Sequence, residues 1–341
     1  MRKQKDIPPV DIYPSEKWYH ERYGFDSVES EWTDPVKRTE REREKQRALY
    51  DDFCDVGMGD ADPRPSPNIE AYGHRFVPAL FGCGIKYAKD QPPSAMHLDG
   101  DPEKMGALEV PDFEKSGVVR RAREDAGLLY KKYGCCSGVI NMGSPLNVAV
   151  NMYGEAFLIA CALEPNTARH VLFVIAETQL KLYHELCAKI EPGVFPDPIE
   201  NWNYGNCPAV MLSPEMYESV VLPVDLWFRD KTQNFTLHHC GVFDKYVDLY
   251  TRLCPDSLEI GGGSDYEAIK TAFPTQKYSL LMNTADIEKM EASEAVDYVA
   301  DVMETCRPYD RIVNVVIAEL SPAASNDMVR VLASVPDRLS V

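Results

Sequence analysis

The chain has 341 residues, 45% apolar and 26% charged, a globular composition that can bury a large core and is neither disordered nor collagen-like. With 54 acidic against 36 basic side chains the formal charge is −18, which argues against a nucleic-acid partner held by a basic surface. No run approaches the roughly 18 apolar residues of a membrane span, and the opening MRKQKDIPPVDIYPSEKWYH lacks the apolar segment of a secretory signal, so the expected location is cytoplasmic, with no membrane partner.

Residues 1–75 are polar, proline-rich and aromatic in patches, and read as an N-terminal extension outside the core. The charged run VKRTEREREKQRALYDDF within it predicts a helix with a solvated face. The breaker-rich DADPRPSPNIEAYG then leads into the compact region. From residue 76 short apolar runs alternate with longer helical segments, the pattern of an α/β fold with a parallel sheet or barrel. Strands are expected at 76–81, 138–142, 235–240, 257–260, 278–282 and 312–318. Helices are expected at 154–163, 167–190, 214–230, 246–253, 266–272 and 293–305, with Ser213 and either Ser264 or Asp265 as caps. The regular strand–helix units of the last third favour a (β/α)8 TIM barrel over 76–341, whose chemistry belongs at the C-terminal strand ends.

One strand runs Phe-Thr-Leu-His-His-Cys and ends before Gly241. Alternation turns His238 and Cys240 to one side and His239 to the other, where it packs toward the helices. An H-x-C pair is half of a zinc site, although a buried histidine beside a free thiol accounts for it equally. The ten cysteines read as mostly reduced thiols without a C-x-x-C pair, so any other cysteine ligand must come from elsewhere in the fold. Further reactive candidates at strand ends are Glu319, after IVNVVIA, and Glu200, Asn201 and Asn203 in PDPIENWNYGN. Each of these glutamates also reads as a solvated loop residue. The glycines of LEIGGGSDYEAIK match neither a dinucleotide fingerprint nor a Walker loop, and leave room for close backbone approach to a flat group.

LSPEMY at 212–217, VLP at 221–223 and LHHCG at 237–241, with FGCGI at 81–85 and NMGSPLN at 141–147, together resemble the uroporphyrinogen decarboxylase superfamily, in its branch of cobalamin-dependent methyltransferases. That resemblance, over roughly residues 50–335, implies a (β/α)8 barrel with a catalytic zinc held by His238, Cys240 and a later cysteine. This chain departs from the pattern in its last strand, which reads Ala318-Glu319-Leu320, so Glu319 is the expected substitute ligand. Glu200 and Glu215, with fourteen residues between them and His238 after another twenty-two, also resemble the zinc signature of methyltransferase I components of aryl-ether O-demethylases. The arginine motif by which the decarboxylases clamp a porphyrin is missing.

The resemblance therefore implies an enzyme: a zinc-assisted, corrinoid-dependent methyltransferase. It would move a methyl group from a methylated small molecule, best an aryl methyl ether, to the Co(I) corrinoid of a partner protein, since the chain has no D-x-H-x-x-G corrinoid module of its own. His238, Cys240 and Glu200 are its expected catalytic residues, and Glu200, Glu215 and Glu319 the candidates to complete the metal site. Trp202, Asn203 and Tyr204 are expected at the substrate. Carboxylate ligands favour an oxygen leaving group, whereas sulfur and nitrogen ligands favour a thiolate. The alternatives are accordingly a methylcobalamin:thiol methyltransferase, a zinc-free scaffold subunit of a corrinoid complex, and a decarboxylase.

Overall fold

The structure, a computed structural model, describes residues 7–137, 141–189 and 202–339. Their strands are β1 (Val10–Pro14), β2 (Ile85–Ala88), β3 (Gln91–Ala95), β4 (Trp202–Gly205), β5 (Phe235–His239), β6 (Ser257–Gly261), β7 (Lys277–Leu281) and β8 (Ile312–Leu320). β2 and β3 form a separate antiparallel hairpin. The other six make one parallel sheet in the order β1-β8-β7-β6-β5-β4. This is an α/β fold with a curled half-barrel. Among the described residues it has six strands instead of the expected eight, and outside the named strands Asn68 and Ser137 form one isolated parallel bridge.

Period-two alternation explains how the sheet is dressed. Leu237, Leu258, Leu280, Val315 and Ile317 are buried, while the intervening Thr236, Ser257, Ser279 and Asn314 present polar groups on the opposite face. There the Thr236 and Ser257 hydroxyls lie 2.6 Å apart and Asn314 donates to Asp11 Oδ2 at 2.6 Å. Helices Val247–Leu253, Tyr266–Ala272 and Ala292–Thr305 alternate with the last strands, as their apolar spacing requires. Asp265 caps the second of these through Ala268 N–H, whereas Ser264 bridges Phe243 N–H and Gly261 C=O.

Several expectations need correction. The described part of the N-terminal segment, residues 7–75, does not stand outside the core: β1 pairs with β8 from Val10↔Val315 onward, and Trp18 and Phe53 are buried. Helix Pro35–Phe53 forms as expected, capped by Asp34, but the face expected to be solvated buries Arg38, Arg41 and Lys45. Two of the charges are paired, Lys45 Nζ lying 2.7 Å from Glu16 and Arg41 also pairing with Glu16, while Arg38 donates to the side chain and carbonyl of Asn68. Residues 76–81, expected as a strand, hold helix Phe76–Leu80. A short apolar run reads as either element, and Pro78 sits in the first helical turn, where no amide is needed. Of the strand expected at 138–142, residues 138–140 lie outside the described residues, and Asn141 and Met142 take no regular structure.

The helix expected at 214–230 is continuous in direction but not in type: Pro214–Met216, a π-helical turn Tyr217–Val221, then Leu222–Arg229. Pro223 cannot donate to the Ser219 carbonyl, and Arg169 Nη2 fills that role at 2.7 Å. No single described helix is long and apolar enough to cross a membrane; the apolar pair Pro145–Tyr153 and Glu155–Leu163 is bent by 114°. The bend falls at Gly154, whose φ of 60° and close approach to the His97 ring, 2.5 Å from where a Cβ would lie, admit only glycine.

Candidate metal centre

β4 and β5 run parallel in a register that pairs Gly205 with His238. The ladder continues one residue past β4, because Asn206 N–H donates to the His238 carbonyl at 2.8 Å. Cys207 then opens a short 3-10 turn, Cys207–Met211, directly over the end of β5, where Cys240 follows His239. This brings Cys207, His238 and Cys240 together, with their ligand atoms all within 4.8 Å of one another. Two sulfurs and one imidazole suit zinc, and three protein ligands are the number found where a metal keeps a position for substrate.

The imidazole is oriented from behind. Glu259 on β6 lies opposite His238 in register, and its Oε2 is 2.5 Å from His238 Nδ1. That leaves Nε2 as the ring nitrogen available to a metal, the arrangement in which a carboxylate fixes a ligating histidine. Burial works against a charged His238 ring, but hydrogen bonds to Cys240 and Glu259 outweigh it and raise its pKa to about 9. Hydrogen bonding from Cys207, then from His238, pulls Cys240 down to about 5. Cys207, sharing a proton with Cys240 and largely buried, is pushed up. The cluster thus holds one thiolate ready for a cation, and full ligation releases further protons.

A second, wholly buried group supports Cys207. Asp225 accepts hydrogen bonds from the hydroxyls of Tyr204 and Tyr217 and from Asn206 Nδ2, which also reaches Tyr217 at 2.8 Å. Burial raises the Asp225 pKa to about 7 against the pull of these donors. Ser144, cap of the helix Pro145–Tyr153 in the NMGSPLN run, donates to Asn206 Oδ1 at 3.2 Å and ties that run to the end of β4. His239 points away, fully buried, with Nδ1 2.9 Å from the Tyr250 hydroxyl.

The remaining sequence candidates fall in different places. Trp202 and Tyr204, expected at the substrate, are buried toward the helices: Trp202 packs edge-on against Phe228 at 4.8 Å, and Tyr204 serves Asp225. Strand alternation separates them from Asn203, which donates to Glu259 at 3.4 Å on the polar face. Glu215 is exposed in the first turn of its helix and outside the cluster; a hydrogen bond with the capping Ser213 lowers its pKa. Glu200 lies outside the described residues. Glu319 is not a member of the cluster either, but shares with Cys240 the wall of a cavity of about 440 Å³ at the ends of β5 to β8. Gly261 admits no Cβ because its neighbour is the Gly241 carbonyl oxygen, 2.2 Å from the position a Cβ would take; the glycine run therefore serves close strand packing beside this cavity.

Cys207 and Glu259 are what the sequence reading missed. Both carried a signal: a cysteine closing N-Y-G-N-C after an expected reactive segment, and a lone carboxylate in the apolar strand SLEI.

No protein-family model and no curated protein sequence matches the chain. Its fold is shared with a methyltransferase from Methanosarcina mazei, at a TM-score of 0.67 and 13% identity over 99% of this chain and 95% of that one. A B12-independent methionine synthase from Shewanella sp. W3-18-1, in complex with selenomethionine, aligns at a TM-score of 0.47 and 10% identity over 98% and 97% of the two chains.

Proposed function

We propose that the protein is a cytoplasmic, zinc-dependent methyltransferase of the uroporphyrinogen decarboxylase superfamily whose methyl acceptor is a small thiol. The observation that carries this reading is the donor set: among the described residues Cys207, His238 and Cys240 come together, supplying sulfur and nitrogen and no carboxylate. With Glu319 outside the cluster and Glu215 engaged at its cap, no described glutamate supports a hard, oxygen-directed metal, which favours the thiol over the aryl methyl ether. When bound to these residues, zinc acts as a Lewis acid that keeps a substrate thiol deprotonated near neutral pH.

The chain's own residues set the stage for that chemistry. Glu259 fixes the His238 ring, Asn206 and Asp225 fix the turn carrying Cys207, and the cavity beside Cys240 receives the acceptor. In the transfer the acceptor's S–CH3 bond forms as the donor's bond to the methyl carbon breaks; the donor keeps the electron pair, and the thiol proton passes to solvent. A methylated corrinoid on a partner protein, departing as Co(I), is the donor in this reading, which is the methylcobalamin:thiol alternative of the sequence analysis.

Zinc stoichiometry of wild type, Cys207→Ala, Cys240→Ala and Glu319→Ala tests the reading. The expected result is one zinc per chain in wild type and Glu319→Ala, and none retained in either cysteine variant. Zinc-free wild type overturns the metal centre, while zinc lost from Glu319→Ala restores the mixed oxygen site and with it the ether substrate.

A further inference from the structure

Glu319 occupies a bulge. β8 pairs with β1 at Tyr13↔Ala318 and resumes at Pro14↔Leu320, so Glu319 is the extra residue on its strand, and its φ of 58° is left-handed. The bulge resets the alternation: Ile317 and Leu320 are both buried, two positions that an unbroken strand would send to opposite faces. Glu319 would otherwise follow Ile317 into the helix layer; displaced, it joins the wall of the cavity that Cys240 also lines.

The other polar groups of that wall are occupied. Asn283 Nδ2 donates to Asp286 at 2.6 Å, Thr284 Oγ1 donates to the Ala318 carbonyl at 2.6 Å, and Glu288 Oε1 accepts from Ser321 N–H at 2.6 Å. Glu319 makes no hydrogen bond or ion pair with any described residue, and burial, its largest influence, raises its pKa. No lysine, arginine or histidine lines the cavity, and Met282 adds an apolar stretch of wall.

We propose that Glu319 selects an acceptor thiol carrying a positive charge at the end remote from its sulfur. The sulfur lies toward Cys240 and the cation meets the Glu319 carboxylate, a charge-assisted contact that an anionic or neutral thiol cannot make. This rests on the thiol-acceptor reading above and adds the charge class of the substrate to it.

The test measures binding of four probe thiols to the zinc-loaded full chain by calorimetry, and to the cobalt-substituted chain by its absorption spectrum. The probes are 2-aminoethanethiol, thiocholine, 2-mercaptoethanol and 3-mercaptopropionate. Thiocholine is included because its quaternary nitrogen cannot ligate a metal. Wild type is expected to bind both cationic thiols at least tenfold more tightly than 3-mercaptopropionate, and the preference should weaken with salt. Glu319→Gln should bring the ratio within about threefold, and Glu319→Lys should reverse it. A wild type without charge preference, or a Glu319→Gln protein that keeps it, overturns the assignment while leaving the thiol reading intact. A metal site that no thiol perturbs overturns both.

Discussion

The two sides of the sheet's C-terminal edge are built on opposite principles. Over β4, β5 and β6 the polar groups are paired in depth: His238 with Glu259, Glu259 with Asn203, Asn206 with Ser144, Tyr217 and Asp225. Over β8 a bulge leaves Glu319 without a hydrogen-bond or ion-pair partner among the described residues, facing the same cavity as Cys240. A site that must hold an ion in one geometry benefits from a rigid shell, whereas a group that must recognise a departing small molecule has to remain available. On the proposed reading metal affinity and ligand choice fall to different strands, so each is expected to change without the other.

The largest effect is expected from Asp225→Ala on the paired side. It strips two buried tyrosine hydroxyls and the Asn206 amide of their acceptor, with few routes for water to reach them. Unfolding stability of the metal-free protein should fall by about 3 kcal/mol in denaturant titrations, and zinc affinity should fall with it. A change under about 0.5 kcal/mol, the range of ordinary surface substitutions, would mean that the cluster does not depend on this network.

The same carboxyl predicts a pH dependence. An unfolded aspartate ionises near 4, whereas Asp225 in the fold does so at about 7, with burial as the main cause. Its contribution to stability is full below about pH 4 and is lost as pH rises to about 7, because only the unfolded chain gives up the proton in that window. The stability of wild type relative to Asp225→Asn should therefore decline between pH 4 and 7 and stay level above about 8. A difference that is flat, or that rises with pH, would break the assignment.

Glu259→Gln comes next. It removes the charge behind His238 but keeps the shape, so zinc affinity in chelator competition should drop about 10- to 100-fold, with folding stability of the metal-free protein nearly unchanged. An unaltered zinc affinity would show that the ring needs no carboxylate to orient it. On this side of the edge neither substitution should alter the preference among thiols.

The legibility of these regions in the sequence followed their regularity. Strands β5 to β8 and the helices between them were readable because period-two and period-3.6 patterns hold over whole elements, and His238 and Cys240 were readable because alternation places them together. Cys207 was not, because its proximity to Cys240 depends on a parallel register that pairs residues 33 positions apart, such as Gly205 with His238, which no local pattern encodes. Arg38, Arg41 and Lys45 were read as solvated because a charge run carries no sign of the distant Glu16 and Asn68 that meet it. Trp202 and Tyr204 were expected as pocket walls because their short segment, framed by polar residues on both sides, reads as a loop; its pairing as β4 and the burial of both rings are not encoded locally.

The smallest expected effect lies on the unpaired side and has the opposite sign. A non-glycine residue in the left-handed region costs about 1 kcal/mol or more, part of which glycine would give back through its greater freedom in the unfolded chain. Glu319→Gly should therefore stabilise the metal-free protein by about 0.5 kcal/mol, whereas Glu319→Gln, with the same backbone penalty, should leave stability unchanged. If glycine at 319 instead destabilises, the bulge is held by the glutamate side chain, and that side chain is structural. If it stabilises while the discrimination among thiols disappears, the fold carries backbone strain at this position in exchange for a carboxylate aimed at the ligand, which is what the reset alternation between Ile317 and Leu320 implies.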